Sequence, residues 1–294
     1  MKKIGFIGLG IMGKPMSKNL LKAGYELIVL STSKSSGELA AAGAALADTP
    51  KAVAEQADLI ITMLPDSPQV KEVILGKDGV IEGAKAGSIV IDMSSIAPLA
   101  SQEVARTLAE KGVRMLDAPV SGGEPKAIAG TLSVMVGGEQ DIFEQCRDVL
   151  LAMASSVVRT GGIGAGNVTK LANQIIVGIN LAAMSEAMVL AAKAGVEPEL
   201  VYEAIRGGLA GSAVLDAKVP LVLDRRFEPG FRIELHKKDL GNVLATSQQY
   251  DIPLPLTSTV LEMMRKLEED GLGASDHGGL IRYYEQLARV EVSR

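Results

Sequence analysis

The stretch "IGFIGLGIMGKPMSKNL", residues 4–20, carries two overlapping phosphate-binding patterns. Gly8, Gly10 and Gly13 fit G-x-G-x-x-G, the turn that holds a dinucleotide pyrophosphate. Gly8, Gly13 and Lys14 fit G-x-x-x-x-G-K, most of the loop that holds a nucleoside triphosphate. That second loop needs Ser or Thr after its lysine to ligate magnesium, and position 15 is Pro. Proline suits an early helix turn and brings no hydroxyl. An apolar strand precedes the glycines and a helix follows, which is the setting of the dinucleotide turn. There Gly8 makes the tight bend, Gly10 lets backbone approach the pyrophosphate, and Gly13 allows close helix–strand packing. The helix start offers free N–H groups and a positive dipole end. The residues expected at the cofactor are Gly8, Leu9, Gly10, Ile11, Met12 and Gly13. A glycine turn of purely structural use is the remaining reading.

Outward from the turn, the first half alternates. "KIGFIGL", "ELIVLS", "LIITMLP", "SIVIDMS", "RMLDAPV", "LSVMVGG" and "VVRTG" read as strands. Helices are predicted over 15–22, 37–42, 70–75, 98–111 and 141–153. This pattern predicts an α/β, doubly wound parallel sheet of Rossmann type, covered on both faces. From Asn167 the chain reads as helix broken by Gly and Pro, over 167–194, 198–207, 212–224, 234–249, 254–270 and 276–288. The flexible "GGIGAG" at 161–166 marks the junction. The expected domains are 1–163, binding the dinucleotide, and 164–294, all-helical, serving substrate and oligomerisation through a long first helix.

The 294 residues suffice for two domains with real cores, and 47% apolar with 22% charged is an ordinary globular balance. A net charge of -5 without a basic run speaks against nucleic acid. The lone cysteine, Cys146, precludes a disulfide framework and suits a reducing cytoplasm; its acidic helical surroundings make it a plain helix position. The N-terminus has no signal-peptide pattern. Residues 168–196 are apolar enough to suggest a membrane span, but Lys170, Asn173, Gln174, Asn180, Glu186 and Lys193 interrupt them, so a helix buried in protein is expected and no membrane partner. No metal site is expected: His236 and His277 are far apart in sequence and no Cys pair exists. His236 reads as a helix-start or surface residue. His277 reads as the start of a helix capped by Asp276.

An NAD-binding fold usually ends its second strand on Asp or Glu, which binds the ribose 2′-OH. Here that strand ends on Ser31, Thr32, Ser33 and Lys34. Hydroxyls and one lysine could receive a 2′-phosphate, so the sequence leans weakly toward NADP(H) over NAD(H), or toward relaxed use of both, with a plain polar loop as the other reading.

Three later stretches complete the pattern. In "DAPVSGG", residues 117–123, Ser121, Gly122 and Gly123 follow a strand and could form a backbone N–H nest for a carboxylate, or an ordinary turn. In "GIGAGNVTKLANQ", Lys170, Asn173 and Gln174 fall on one face of a mostly apolar helix, where a half-buried lysine is costly without a role or an ion-pair partner. In "HKKDLGNVLATS", Lys237, Lys238 and Asp239 open a helix and by themselves read as a solvated face.

These motifs, in this order and over nearly the whole chain, resemble the β-hydroxyacid dehydrogenase family, related to 6-phosphogluconate dehydrogenase. The resemblance implies reversible hydride transfer between a nicotinamide and a small semialdehyde or β-hydroxy acid. "MSSIAPLAS", "DAPVSGGEPKAI", "IRGGLAGS" and "LDAK" point to the members that reduce tartronate semialdehyde, with 3-hydroxyisobutyrate as the alternative substrate. It assigns catalysis to Lys170 and Asn173, substrate binding to Ser121, Gly122 and Gly123, and cofactor contacts to the glycine turn, Leu64, Pro65, Ser95 and Lys238. A dimer or tetramer is implied, as is a place in glyoxylate metabolism. A dinucleotide sensor without turnover would have no need of Lys170 and Asn173.

Overall fold

The computed structural model describes residues 3–294, which form two compact units divided after Lys170, the second being Leu171–Arg294. The first holds strands β1 (Lys3–Ile7), β2 (Glu26–Leu30), β3 (Ala45–Ala47), β4 (Leu59–Thr62), β5 (Ile89–Asp92), β6 (Arg114–Asp117), β7 (Val120–Ser121), β8 (Leu132–Gly137) and β9 (Ala154–Gly161). Between them run helices α1 (Gly13–Lys22), α2 (Ser36–Ala41), α3 (Pro50–Gln56), α4 (Ser67–Leu75), α5 (Val80–Gly83), α6 (Pro98–Ala109), α7 (Gly123–Ala129) and α8 (Gln140–Leu151). The sheet order is β3-β2-β1-β4-β5-β6-β8-β7, with β9 paired to β8. The first six strands are parallel, as their nearly continuous apolar sequences require of strands buried on both faces.

Alternate residues feed two cores. Ile4, Phe6, Val29, Ile61 and Ile91 pack with Met16 and Leu20 of α1 and Phe143 of α8 on one face. Ile7, Ile28, Ile60 and Val90 pack with Val53 of α3, Ile74 of α4 and Leu108 of α6 on the other. Proline in the first turn of α3, α4 and α6 starts each of these helices, with Thr49 Oγ1 accepting from Ala52 N (3.1 Å) and Asp66 from Ser67 N (2.8 Å). Cys146 is fully buried in α8, and burial pushes its thiol up to about 12, so it is an inert core position.

The sheet departs from the all-parallel expectation at β8, which runs antiparallel to β6 and β7. The ten residues between β7 and β8, residues 122–131, are too few for a parallel crossover. The predicted strand "RMLDAPV" breaks at Ala118–Pro119 into β6 and β7. The short elements β3, α3, α5 and α7 lie outside the sequence expectation; none is long enough to show a clear period.

The long helix α9 (Ala165–Lys193) leads into α10 (Pro198–Ile205), α11 (Ala213–Leu223), α12 (Ile233–Gln249), α13 (Pro255–Glu269), a 3-10 turn at His277–Leu280, and α14 (Ile281–Ala288). Among the described residues the second unit has no strand, only an isolated bridge between Arg232 and Asp276. By length and composition α9 passes as a membrane span, but Leu181, Met184 and Met188 are buried against Val219, Leu240, Val260 and Met264 in the core of this unit. Asp276 caps the 3-10 turn through Gly278 N (2.9 Å) and also receives Lys218 Nζ (2.7 Å), Gly230 N and Phe231 N.

Candidate active site

Loops leave the C-terminal edge of the sheet side by side. The register Ile7↔Thr62, Thr62↔Asp92 and Asp92↔Asp117 aligns the ends of β1, β4, β5 and β6. The glycine turn follows β1, Leu64 and Pro65 follow β4, Ser95 follows β5, and Ser121–Gly123 follow β6 by way of β7. Strand order reverses at β1, which is the switch point where open α/β sheets bind ligands.

The glycine turn fits a dinucleotide. Gly8 has φ +103°, and a Cβ there would lie 2.1 Å from the Met63 carbonyl oxygen. A Cβ on Gly13 would lie 1.8 Å from the Gly8 carbonyl oxygen. A Cβ built on Gly10 would meet nothing within 4 Å, which leaves that side of the backbone open as a pyrophosphate needs. Leu9 is buried, while Ile11 is exposed. Lys14 and Lys18 both pair with Glu38 of α2, Lys14 at 3.2 Å, a surface arrangement unlike that of a triphosphate-loop lysine.

Beside the turn, Leu64 N donates to Ser94 Oγ (2.8 Å), fixing the residues after β4 against the loop that holds the half-buried Ser95. Asp92 is fully buried at the base of that loop. Its Oδ1 accepts from Thr62 Oγ1 (2.8 Å), Ser94 N (3.2 Å) and Ser94 Oγ, while its Oδ2 has no hydrogen-bond partner among the described residues. Burial raises this carboxyl from 3.8 to about 6, against the pull of the Ser94 and Thr62 hydrogen bonds, with Asp117 on the next strand adding to the rise. The folded chain thus holds the proton more tightly than the unfolded one. The stability linked to it is full below the unfolded value and is lost as pH rises through about 6. Asp92→Asn cannot ionise. Its stability relative to the parent, from urea denaturation, should improve by about 2 kcal/mol between about pH 4.5 and pH 7.5. A difference independent of pH would show that folding does not raise the Asp92 carboxyl.

Asp117, from the "DAPVSGG" stretch, is also fully buried. Its Oδ1 accepts from Gly164 N (2.7 Å) and its Oδ2 from Asn167 N (2.8 Å), so it seats the first turn of α9. Burial holds its carboxyl above the ordinary value, against the downward pull of these N–H groups. Asn167 accepts from Ile96 N at its Oδ1 (3.2 Å) and donates from Nδ2 to Ser101 Oγ (2.9 Å). One buried polar strut thus ties the start of α9 to the loop of Ser95 and to the end of β6. Lys170 follows Asn167 by three residues on α9 and is only 7% exposed, more deeply buried than half-burial implies. Ser121 ends β7, and the chain turns through Gly122 (φ +136°) and Gly123 (φ +66°) into α7.

The second unit organises the remaining site residues. Asn173 Nδ2 donates to Gln174 Oε1 (2.8 Å), and Gln174 Nε2 donates to Asp239 Oδ2 (2.6 Å). Lys238 Nζ pairs with Asp239 Oδ1 at 3.0 Å. A carboxylate only accepts, so the Gln174 amide nitrogen must face Asp239 and its oxygen must face Asn173. The solvated-face expectation for residues 237–239 fails at Asp239, which is 2% exposed. The surface expectation for His236 fails as well: it lies on the inner side of α12, with Nε2 3.1 Å from the Gln174 carbonyl and Nδ1 3.0 Å from His277 Nδ1. Because a carbonyl only accepts, His236 Nε2 carries the hydrogen. Among the described residues no group of three or more His, Cys, Asp or Glu side chains could hold a metal.

Residues 31–34 contain no carboxylate, but the fold brings one to them: Ser31 Oγ donates to Asp48 Oδ1 at 2.7 Å, from the end of β3. Asp48, Asp92, Asp117 and Asn167 are the residues that motif reading passes over. Asp92, Asp117 and Asn167 lie inside the stretches "SIVIDMS", "DAPVSGG" and "GIGAGNVTKLANQ", but nothing in those stretches marks them as buried polar partners.

A parallel sheet with a glycine turn at its switch point, followed by a helical unit, defines a nicotinamide-dinucleotide dehydrogenase of two units. The family model for the NAD-binding domain of 6-phosphogluconate dehydrogenase matches residues 3–162. That for the NAD-binding domain of NADP-dependent 3-hydroxyisobutyrate dehydrogenase matches residues 164–284. The chain is 42% identical over 291 residues to 2-hydroxy-3-oxopropionate reductase of Escherichia coli, covering 99% of this chain and 100% of that one. It is 38% identical to 2-(hydroxymethyl)glutarate dehydrogenase of Eubacterium barkeri, over 99% of this chain and 97% of that one. The solved structure of Mycobacterium tuberculosis 3-hydroxyisobutyrate dehydrogenase with L-serine matches at a TM-score of 0.89 and 31% identity, covering 97% and 99% of the two chains. The chain belongs to the β-hydroxyacid dehydrogenase family, and it is an NAD(P)-dependent oxidoreductase.

Proposed function

We propose that the chain reduces tartronate semialdehyde (2-hydroxy-3-oxopropanoate) to D-glycerate, reversibly. The observation that carries the choice of substrate is the 42% identity to 2-hydroxy-3-oxopropionate reductase over the full length of both chains. The other relatives act on different small acids by name, 2-(hydroxymethyl)glutarate and 3-hydroxyisobutyrate among them, and these are the competing substrates.

Bound NAD(H) or NADP(H) supplies or accepts the hydride. The glycine turn, Leu64, Pro65, Ser95 and Lys238 would hold it. Ser121, Gly122 and Gly123 present backbone N–H groups to the substrate carboxylate. The carbonyl oxygen gains negative charge as reduction proceeds. The Lys170 ammonium stabilises that charge and then gives the oxygen a proton; as a neutral amine it takes the proton back in the oxidative direction. Its burial strengthens the first effect by excluding water. Asn173, oriented through Gln174, positions the substrate hydroxyl.

The single buried cysteine supports a reducing cytoplasm, and exposed apolar residues on α9, Ile176 and Leu190, support a homodimer or homotetramer. The substrate would place the enzyme in glyoxylate metabolism. The test is a panel of tartronate semialdehyde, 3-hydroxyisobutyrate and 2-(hydroxymethyl)glutarate with both dinucleotides. Tartronate semialdehyde should show a kcat/KM at least about tenfold above the others, about 1.4 kcal/mol of discrimination. A higher value for either competitor overturns the assignment.

A further inference from the structure

β3 pairs with β2 in parallel with Leu30 opposite Ala47, and Ser31 N donates to Ala47 O at 2.9 Å. The two strand ends therefore stop together, and Asp48 stands beside Ser31. The Ser31 hydroxyl has one hydrogen, and the 2.7 Å bond commits it to Asp48 Oδ1. What the pair has left to offer is acceptors: carboxylate oxygens and the lone pairs of Ser31 Oγ. Asp48 is exposed. The loop that follows is held in place. Ser36 Oγ donates to Ser31 O (2.9 Å), and Ser35 Oγ donates to the Leu9 carbonyl (3.2 Å), which fastens the end of β2 to the glycine turn.

A ribose diol brings two O–H donors to such a pair. A 2′-phosphate brings only acceptor oxygens and close to two negative charges. Like charges brought within hydrogen-bonding range repel even in solvent. We propose that Asp48 selects the unphosphorylated ribose, supplying from β3 the carboxylate that β2 lacks and making NAD(H) the preferred dinucleotide. The inference rests on the dinucleotide reading of the glycine turn. Lys34, exposed on the same loop, pulls the other way only weakly, as a solvated surface charge does.

The test is equilibrium binding, by calorimetry, of NAD+ and NADP+ to the parent chain, to Asp48→Asn and to Lys34→Ala. Asparagine keeps the size of the side chain and an oxygen for the Ser31 hydroxyl, so circular dichroism and melting should match the parent. The parent should bind NAD+ at least about tenfold more tightly than NADP+. In Asp48→Asn that ratio should fall about tenfold, chiefly through tighter NADP+ binding. In Lys34→Ala it should stay within about twofold. A parent that prefers NADP+, or a ratio unchanged in Asp48→Asn, overturns the role of Asp48 and leaves the dinucleotide reading standing. Binding of neither dinucleotide overturns both.

Discussion

Lys170→Ala should lower kcat by about three orders of magnitude while the dissociation constant of the dinucleotide stays within about threefold. Lys170 is 7% exposed, so water cannot simply take its place as acid. Positioned acid–base catalysis contributes about 10²–10⁴-fold, and a charge facing a developing oxyanion adds to it. The two measurements must therefore separate: stopped-flow or steady-state turnover collapses, and titration of the dinucleotide does not. Lys170→Arg should also fail, since guanidinium keeps its proton and its planar fork does not overlay an ammonium. Turnover near the parent's in Lys170→Ala would remove this residue from the chemistry.

Asp117→Asn should cost about 2–4 kcal/mol of stability and about tenfold or more in kcat. The parent carboxylate gives one oxygen to Gly164 N and the other to Asn167 N. An asparagine has a single accepting oxygen, so one buried N–H would meet an NH₂ group. Thermal melting reads the first loss. The second arises because Lys170 rides on the helix that Asp117 seats, so kcat should fall while the dinucleotide dissociation constant is nearly unchanged. Parent-like kcat in a destabilised Asp117→Asn would show that the position of Lys170 does not depend on this clamp.

Much of this architecture was legible in the sequence, for identifiable reasons. Strands such as "LIITMLP" and "SIVIDMS" are apolar throughout because both faces of the sheet are covered, and the glycine turn is set by steric demands that only glycine meets. The antiparallel β8 was hidden because strand direction depends on the length of the link before it, not on the strand's own residues. The buried polar groups were hidden for a different reason. Asp92, Asp117 and Asp239 look like surface residues in a linear reading, and what keeps them inside is partners 2 to 65 positions away: Ser94 and Thr62, Asn167, and Gln174. The contact between His236 and His277, 41 residues apart, was hidden in the same way. Asp48 escaped because the expected acid was sought along β2, and hydrogen bonding ignores which strand a carboxylate comes from.

The contacts around Gly8 and Gly13 bear on how such an enzyme can change. At both positions the main chain leaves no room for any side chain, so in the proposed site the pyrophosphate would be met by backbone atoms that mutation cannot retune. The adenosine end, in the same proposal, would be met by side chains at a surface, where substitutions are structurally inexpensive. The two ends of the dinucleotide are thus under separate control. A lineage, or an engineer, can trade one nicotinamide carrier for the other at the rim of the sheet without disturbing the turn that anchors both.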